Sequence, residues 1–184
     1  MRIVAGKFRG KQLEAPKSDD IRPTSDRVRE AVFSILGSRI GPQLEGLYVL
    51  DLFAGTGALG FEALSRGAAH CVFIDTGIEA RGLIRGHIEH FGVGGQTKLL
   101  KRDATDLGPA ERIRPSDLVF LDPPYGRGLG ERALVSALSG GWIAPEALVV
   151  LEERKDIAIE APSGTQIIDR REYAETAVTF LDVA

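Results

Sequence analysis

The chain has 184 residues, 43% of them hydrophobic, 27% charged and 7% aromatic, which excludes disorder throughout and fits one globular domain of roughly 150 residues with an appendage. Its net charge of -3 excludes a surface uniformly basic for indiscriminate nucleic-acid binding, yet residues 1–30 carry eight basic and five acidic side chains while the rest carries 15 against 21. A single cysteine, Cys71, excludes an internal disulfide and a thiolate zinc cluster; with no secretory h-region at the opening and no long apolar run, a reducing, cytoplasmic location away from membranes is expected.

The basic opening reads as loop as far as Pro23. From Thr24 to Leu36 the residues Val28, Ala31, Val32, Ile35 and Leu36 recur at helical spacing, with Thr24 or Ser25 as cap and Gly37 as stop, and with Arg27, Arg29 and Glu30 off the apolar stripe. After the Gly41-Pro42 break, short apolar runs alternate with helical patterns, the mark of βα units and a mostly parallel sheet. The expected strands are Leu47 to Leu52, Cys71 to Asp75, Thr97 to Lys101, Leu118 to Asp122 and Ala147 to Glu152, with a helix from Ile78 to Phe91 striped by Ile78, Leu83, Ile84, Ile88 and Phe91. Gln166 to Arg171 and Thr176 to Leu181 read as an antiparallel hairpin. Four strands end in or run into an acid, Asp51, Asp75, Asp103 and Asp122, and in an open α/β sheet these ends share one ligand rim.

Two motifs carry chemistry. Asp51-Leu52-Phe53-Ala54-Gly55-Thr56-Gly57-Ala58-Leu59-Gly60 joins a strand to a helix through glycines that let a ligand approach the backbone and the free N–H groups of the helix start. Taken alone it is ambiguous between cofactors, because Gly55 to Gly60 also spells G-x-G-x-x-G with Asp75 twenty residues beyond Gly55, an NAD fingerprint. Asp122-Pro123-Pro124-Tyr125 points elsewhere. Two prolines make a stiff turn, so Asp122 and the Pro123 carbonyl can accept from an exocyclic amine while Tyr125 packs on the face of a planar base.

These motifs resemble those of S-adenosylmethionine-dependent amino-methyltransferases. The opening Arg2-Ile3-Val4-Ala5-Gly6-Lys7-Phe8-Arg9-Gly10, followed by the run Arg22-Pro23-Thr24-Ser25-Asp26-Arg27-Val28-Arg29-Glu30-Ala31-Val32-Phe33-Ser34-Ile35-Leu36, resembles the RsmD family, which methylates guanine N2 in 16S rRNA. The resemblance implies a class I methyltransferase fold, Rossmann-like and α/β. Its mostly parallel seven-stranded sheet would end in the antiparallel hairpin, with residues 1–40 as a basic, RNA-contacting extension and 41–184 as the methyltransferase domain.

It further implies S-adenosyl-L-methionine as cofactor, no metal, a monomer, and 16S rRNA within an assembling or assembled small subunit as partner. Asp51, Gly55 and Gly57 would bound the methionine end and backbone cradle of the cofactor, with Phe53, Ala54, Thr56 and Asp122 as further cofactor contacts; Asp75 would meet the ribose hydroxyls, and Asp103 with the Ala104 N–H would meet the adenine. Asp122, Pro123, Pro124 and Tyr125 would hold the target amine for in-line attack on the methyl group, with Asp122 accepting its proton late. Arg2, Lys7, Arg9, Lys11, Arg22, Thr24 and Arg27 are the RNA-contact candidates, expected to govern salt-dependent affinity rather than base choice. N6 of adenine, or another nucleic-acid amine, is the alternative target; NAD-dependent redox chemistry is a further one.

The chain departs from the family where Asp75 replaces a usual glutamate, where His87 lies near a usual asparagine, and where Ala174 replaces a glycine, which would strain a turn requiring positive φ. His87 and His90 are expected in surface or packing roles, Trp142, Phe120 and Cys71 in the core, and Glu152-Glu153-Arg154-Lys155 as a solvated charge run.

Overall fold

The computed structural model describes every residue except Pro42, so the expected Gly41-Pro42 break lies partly outside the described residues. Strands β1 (Tyr48–Leu52), β2 (His70–Ile74), β3 (Thr97–Leu100), β4 (Ser116–Leu121), β5 (Ile143–Arg154), β6 (Thr165–Tyr173) and β7 (Thr176–Val183) form one sheet in the order β3-β2-β1-β4-β5-β7-β6. The first five run parallel and β7 lies antiparallel between β5 and β6. Each expected strand is present, displaced by a few residues at its ends. The order reverses between β1 and β4, which opens a crevice beyond their carboxyl ends.

Helices α1 (Asp26–Ile40), α2 (Ala58–Ser65), α3 (Ile78–Phe91) and α4 (Leu129–Ser139) cover the sheet. Successive strand residues point to opposite faces, so the core divides in two. Val49, Phe73, Phe120 and Phe180 pack with α1, α2 and α3, whereas Leu50, Val72, Val119 and Val149 pack with α4 and Trp142. Cys71 and Phe120 are buried with the first face and Trp142 with the second, as expected. The indole N–H of Trp142 donates to the Gly108 carbonyl at 2.8 Å. Ile3, Phe8 and Leu13 of the opening lie in the first core alongside α1, so the N-terminal segment is packed into the sheet's own core.

Three local expectations change. Ser25 caps α1 by accepting from the Val28 N–H at 3.1 Å, but the helix continues past Gly37 to Ile40, where Arg39 pairs with Asp169 of β6 at 3.1 Å. Arg29, expected off the buried stripe, is wholly buried. It pairs with Glu62 of α2 at 3.2 Å and also donates to Asp26 and to the carbonyls of Thr24 and Arg2. Glu62 in turn accepts from the Val4 and Ala5 N–H groups at 2.9 and 3.1 Å and pairs with Arg66 at 2.9 Å. This ionic hub fastens the N-terminal segment to α1 and α2. Ile78, expected in the stripe of α3, is 83% exposed; it begins that helix at the mouth of the crevice. The buried positions of α3 are Ala80, Ile84, His87 and Phe91.

Candidate active site

Beyond the ends of β1, β2 and β4 lies a cleft of about 800 Å³. The glycine loop forms its floor. Phe53 has φ 56°, a costly value for a bulky residue, and Gly55 and Gly57 follow at 60° and 80°. A Cβ on Gly57 would lie 2.6 Å from the Phe61 ring, and one on Gly60 would lie 2.4 Å from Phe73, so these glycines let α2 seat directly on the strands. Asp51 is buried and accepts from the Gly60 N–H at 3.0 Å. Burial, and secondarily the charges of Asp122 and Asp75, push its carboxyl well above the usual carboxylate range against that hydrogen bond.

Asp75 supports the loop from the side. Its two oxygens accept from the Gly55 N–H at 2.9 Å and the Gly77 N–H at 2.8 Å, leaving further lone pairs for a ligand's hydroxyls. Beneath the loop His87 is buried: Nε2 accepts from the Glu14 N–H at 2.8 Å, which places the ring proton on Nδ1, 3.0 Å from the Thr56 carbonyl. Burial keeps this imidazole neutral by lowering its pKa, and the ring braces the N-terminal segment against the loop.

The opposite wall is the Asp122-Pro123-Pro124-Tyr125 turn that follows β4. Asp122 is mostly buried, and its Oδ2 accepts from the Thr24 hydroxyl at 2.9 Å. Its buried Oδ1 has no hydrogen-bond donor among the described residues; the nearest cation is Arg22, with a guanidinium nitrogen 3.7 Å away. The same guanidinium lies over the Tyr125 ring, 3.4 Å from its centre, so the face expected to be open to a base is covered. Burial first, and then the nearby Glu152 charge, push the Asp122 carboxyl up to about 8 against the opposing effects of Thr24 and Arg22.

Glu152 corrects the reading of a solvated charge run. It and Glu153 are buried at the end of β5; Glu152 accepts from the Tyr125 hydroxyl at 2.7 Å and Glu153 from the Gly126 N–H at 3.0 Å. Arg154 and Lys155, one and two positions further, are exposed. Burial raises the Glu152 carboxyl, and burial together with Glu152 raises the Tyr125 phenol far enough to keep it a donor.

Of the expected site residues, Asp51, Phe53, Ala54, Gly55, Thr56, Asp75, Asp122, Pro123, Pro124 and Tyr125 line this one cleft. Gly57 shapes the helix start beside them. Asp103 and Ala104 are not brought to it: the exposed Asp103 accepts from both the N–H and the hydroxyl of Thr105, holding its own turn, and Ala104 is buried in the α4-side core. Among the RNA-contact candidates, Arg22 and Thr24 are cleft residues, and Thr24 is buried against Asp122. Arg2, Lys7, Arg9, Lys11 and Arg27 are exposed, with the ammonium groups of Lys7 and Lys11 about 5 Å from the centre of the Phe8 ring.

Ser18, Asp19, Asp20 and Ile21 complete the cleft as a wall, fixed where Glu79 accepts from the Ser18 hydroxyl at 2.7 Å. Sequence reading misses this wall because no local pattern marks a loop that folds back on a sheet. Glu152 carries a usable signal, as a fifth acid at a strand's carboxyl end.

A floor of glycines, acids at adjoining strand ends and a buried carboxyl beside a tyrosine thus line one space. The family profile described as "Conserved hypothetical protein 95" matches residues 1–182. The chain is 34% identical over 176 residues to "Ribosomal RNA small subunit methyltransferase D" of Escherichia coli (strain K12), covering 95% of this chain and 85% of that one. It is 32% identical over 173 residues to the protein of the same description in Haemophilus influenzae, covering 93% and 88%. Its fold matches the solved structure of yhhF from Escherichia coli with a TM-score of 0.83 at 30% identity, over 100% of this chain and 97% of that one. The seven-stranded sheet is that of class I methyltransferases, and the chain belongs to the RsmD family, the one described as conserved hypothetical protein 95.

Proposed function

We propose that this protein transfers a methyl group from S-adenosyl-L-methionine to the exocyclic N2 of one guanine in 16S rRNA, presented in a small-subunit particle. The observation that carries the reading is the pairing, within one cleft, of a glycine-loop cradle with the unsatisfied Oδ1 of Asp122. The cradle fits the cofactor: the loop carries no side chain at Gly55 or Gly57, α2 begins against it, and Asp51 and Asp75 offer acceptors to cationic and hydroxyl groups. When bound, the cofactor supplies an electrophilic methyl group.

The chain's residues act on the amine. An aromatic amine is a poor nucleophile because its lone pair is delocalised into the ring, so catalysis rests on position and on acceptors that draw the nitrogen towards tetrahedral geometry. Asp122 Oδ1 is such an acceptor, and a carboxyl with raised proton affinity is suited to take the amine's proton as the new bond forms. Arg22 supports guanine over adenine. Its planar, many-donor guanidinium lies between Tyr125 and Asp122, a place that suits the N1–H and N2–H₂ edge of guanine, whereas adenine offers one amino group and an acceptor at N1. The entering base then displaces Arg22 from the ring. The exposed Arg2, Lys7, Arg9, Lys11 and Arg27 would meet RNA phosphates.

The test is methyl transfer from labelled cofactor to small-subunit particles from cells lacking the protein, followed by nucleoside analysis. N2-methylguanosine is expected, and N6-methyladenosine overturns the substrate assignment. Asp122→Ala should abolish turnover while S-adenosylhomocysteine binding persists, and calorimetry showing tight binding of NAD alone would remove the cofactor assignment.

A further inference from the structure

Most of the cleft's lining is accounted for by the transfer, but Glu152, which lies outside that lining and is bonded to Tyr125, is not. A glutamate buried at the end of a sheet strand needs a polar partner, and here the Tyr125 hydroxyl supplies one at 2.7 Å. That bond does more than satisfy the carboxylate. It ties the ring of the Asp122-Pro123-Pro124-Tyr125 turn to β5, while the adjacent Glu153 ties the next backbone N–H, that of Gly126. The turn is therefore clamped at two successive residues by two successive glutamates.

We propose that Glu152 is a positioning residue for methyl transfer: it fixes the Tyr125 ring through the phenol and stands beside Asp122 so that the two carboxyls form a single acceptor for the amine's proton. This rests on the reading of Asp122 as the amine's partner. In the transfer, the nitrogen lone pair forms the N–CH₃ bond while the C–S bond breaks with its electron pair going to sulfur. The positive charge arrives on nitrogen, and it leaves as a proton taken by the carboxyl pair and released to solvent.

Asp122 and Glu152 directly follow the paired residues Leu121 and Leu151 of the neighbouring parallel strands β4 and β5, which sets them side by side, and two neighbouring carboxyls in a mostly buried place cannot both ionise freely, so the pair holds a proton to higher pH than an isolated acid would. The groups facing Asp122 are Arg22 and Thr24 from the N-terminal segment, Asp51 from β1, Tyr125 from its own turn and Glu152 from β5; Glu152 faces Tyr125, Asp122 and Arg22. Of these, Glu152 is the anion whose charge raises Asp122 most.

The experiment is the pH dependence of single-turnover methyl transfer for the wild type and for Glu152→Gln, with the Asp122 carboxyl carbon followed by NMR in ¹³C-labelled protein. Glutamine keeps an acceptor for Tyr125 and removes the charge. The expected result is an acidic limb, and an Asp122 titration, at lower pH by about one unit or more, with S-adenosylhomocysteine affinity within about twofold of wild type. An unmoved limb and an unmoved Asp122 titration overturn the proposal, as does a rate loss matched by an equal loss of S-adenosylhomocysteine binding.

If Glu152→Gln does not fold, the wild-type carbon titration decides alone: coupled steps at Asp122 and Glu152 support the pair, and an independent Glu152 titration overturns it. Product identity separates this from the function reading. A product other than N2-methylguanosine defeats the guanine assignment while the limb is still read on whichever nucleoside is methylated, and the titration needs no turnover at all.

Discussion

Asp122→Asn should make the protein more stable while removing its activity, and the gain should grow with pH. Burial and the Glu152 charge push the Asp122 carboxyl up to about 8 in the folded chain from an ordinary 3.8, so its folded pKa is raised. For an acid shifted upward, the unfolded chain loses its proton first as pH rises past 3.8, and stability is lost progressively until pH reaches the folded value near 8. Each pH unit in that window carries about 1.4 kcal/mol, which sets an upper bound of about 4 kcal/mol between pH 5 and pH 8. Because the raised affinity belongs jointly to Asp122 and Glu152, about 2 kcal/mol is the expected gain from the neutral isostere over that interval.

Asparagine can still accept from the Thr24 hydroxyl. The lost pairing with the half-exposed Arg22 is worth little. For a chain of this size, 2 kcal/mol corresponds to roughly 4–8 °C in Tm. Denaturant unfolding of both proteins at pH 5, 6, 7 and 8 measures the difference directly. A difference that stays flat with pH, or a variant that loses ground as pH rises, would show that Asp122 is an ordinary ionised carboxylate and would remove the argument for its proton affinity.

Other consequences follow from the same structure. Glu62→Ala should destabilise the fold by about 3–5 kcal/mol, because it strands the buried Arg29 and frees the Val4 and Ala5 N–H groups; chemical denaturation measures this, and protease cleavage within residues 1–20 should rise as well. Ala174 has φ 51° at the first position of the two-residue β6–β7 turn, so Ala174→Gly should add about 1 kcal/mol, or roughly 2–4 °C in Tm, with activity unchanged. The combined variant Lys7→Ala, Arg9→Ala and Lys11→Ala should weaken RNA binding and make the slope of log affinity against log salt shallower by about one for each phosphate no longer neutralised, leaving product identity unaltered; filter binding from 50 to 200 mM salt checks it.

The parts of the fold legible in the sequence are those where local pattern and tertiary context agree. Each buried parallel strand is a short apolar run whose end is marked by an acid or a glycine loop, and α3 covers the expected Ile78–Phe91. Helix α4 escapes a reading by pattern, because it starts at Gly128-Leu129-Gly130 and its buried face is small, consisting of Gly130, Ala133, Leu134 and Ala137. The strain expected where Ala174 replaces the family's glycine is present, because β6 and β7 pair as far as Tyr173 and Thr176 and leave a two-residue turn in which Ala174 takes φ 51°. Arg29 is hidden for a different reason. A helical wheel assigns an arginine to solvent, and only the approach of Glu62 and the carbonyl of Arg2 makes its burial tolerable.

The candidate site divides in the same way. Its floor and far wall are contiguous motifs, so spacing reveals them, but the guanidinium over Tyr125 and the carboxylate that holds its hydroxyl come from Arg22 and Glu152, 100 and 30 residues away from Asp122. Read through its immediate neighbours, the first belongs to a basic arm and the second to a charged run. In each instance the local composition is that of a solvated surface, and what overrides it is the need to pair a buried partner. Asp122 needs a cation or a donor at Oδ1, and Tyr125 needs an acceptor for a phenol that burial keeps protonated. Glu152 supplies the acceptor for Tyr125, and Arg22 is held beside Asp122 while Oδ1 still lacks a donor among the described residues, so the chemistry of the Asp122-Pro123-Pro124-Tyr125 turn dictates its surroundings. Under the proposed function an incoming guanine would replace the arginine by bringing similar donors and a flat face, whereas nothing in a substrate base would replace the glutamate. Arg22 is thereby suited to leave during each turnover, and Glu152 to remain.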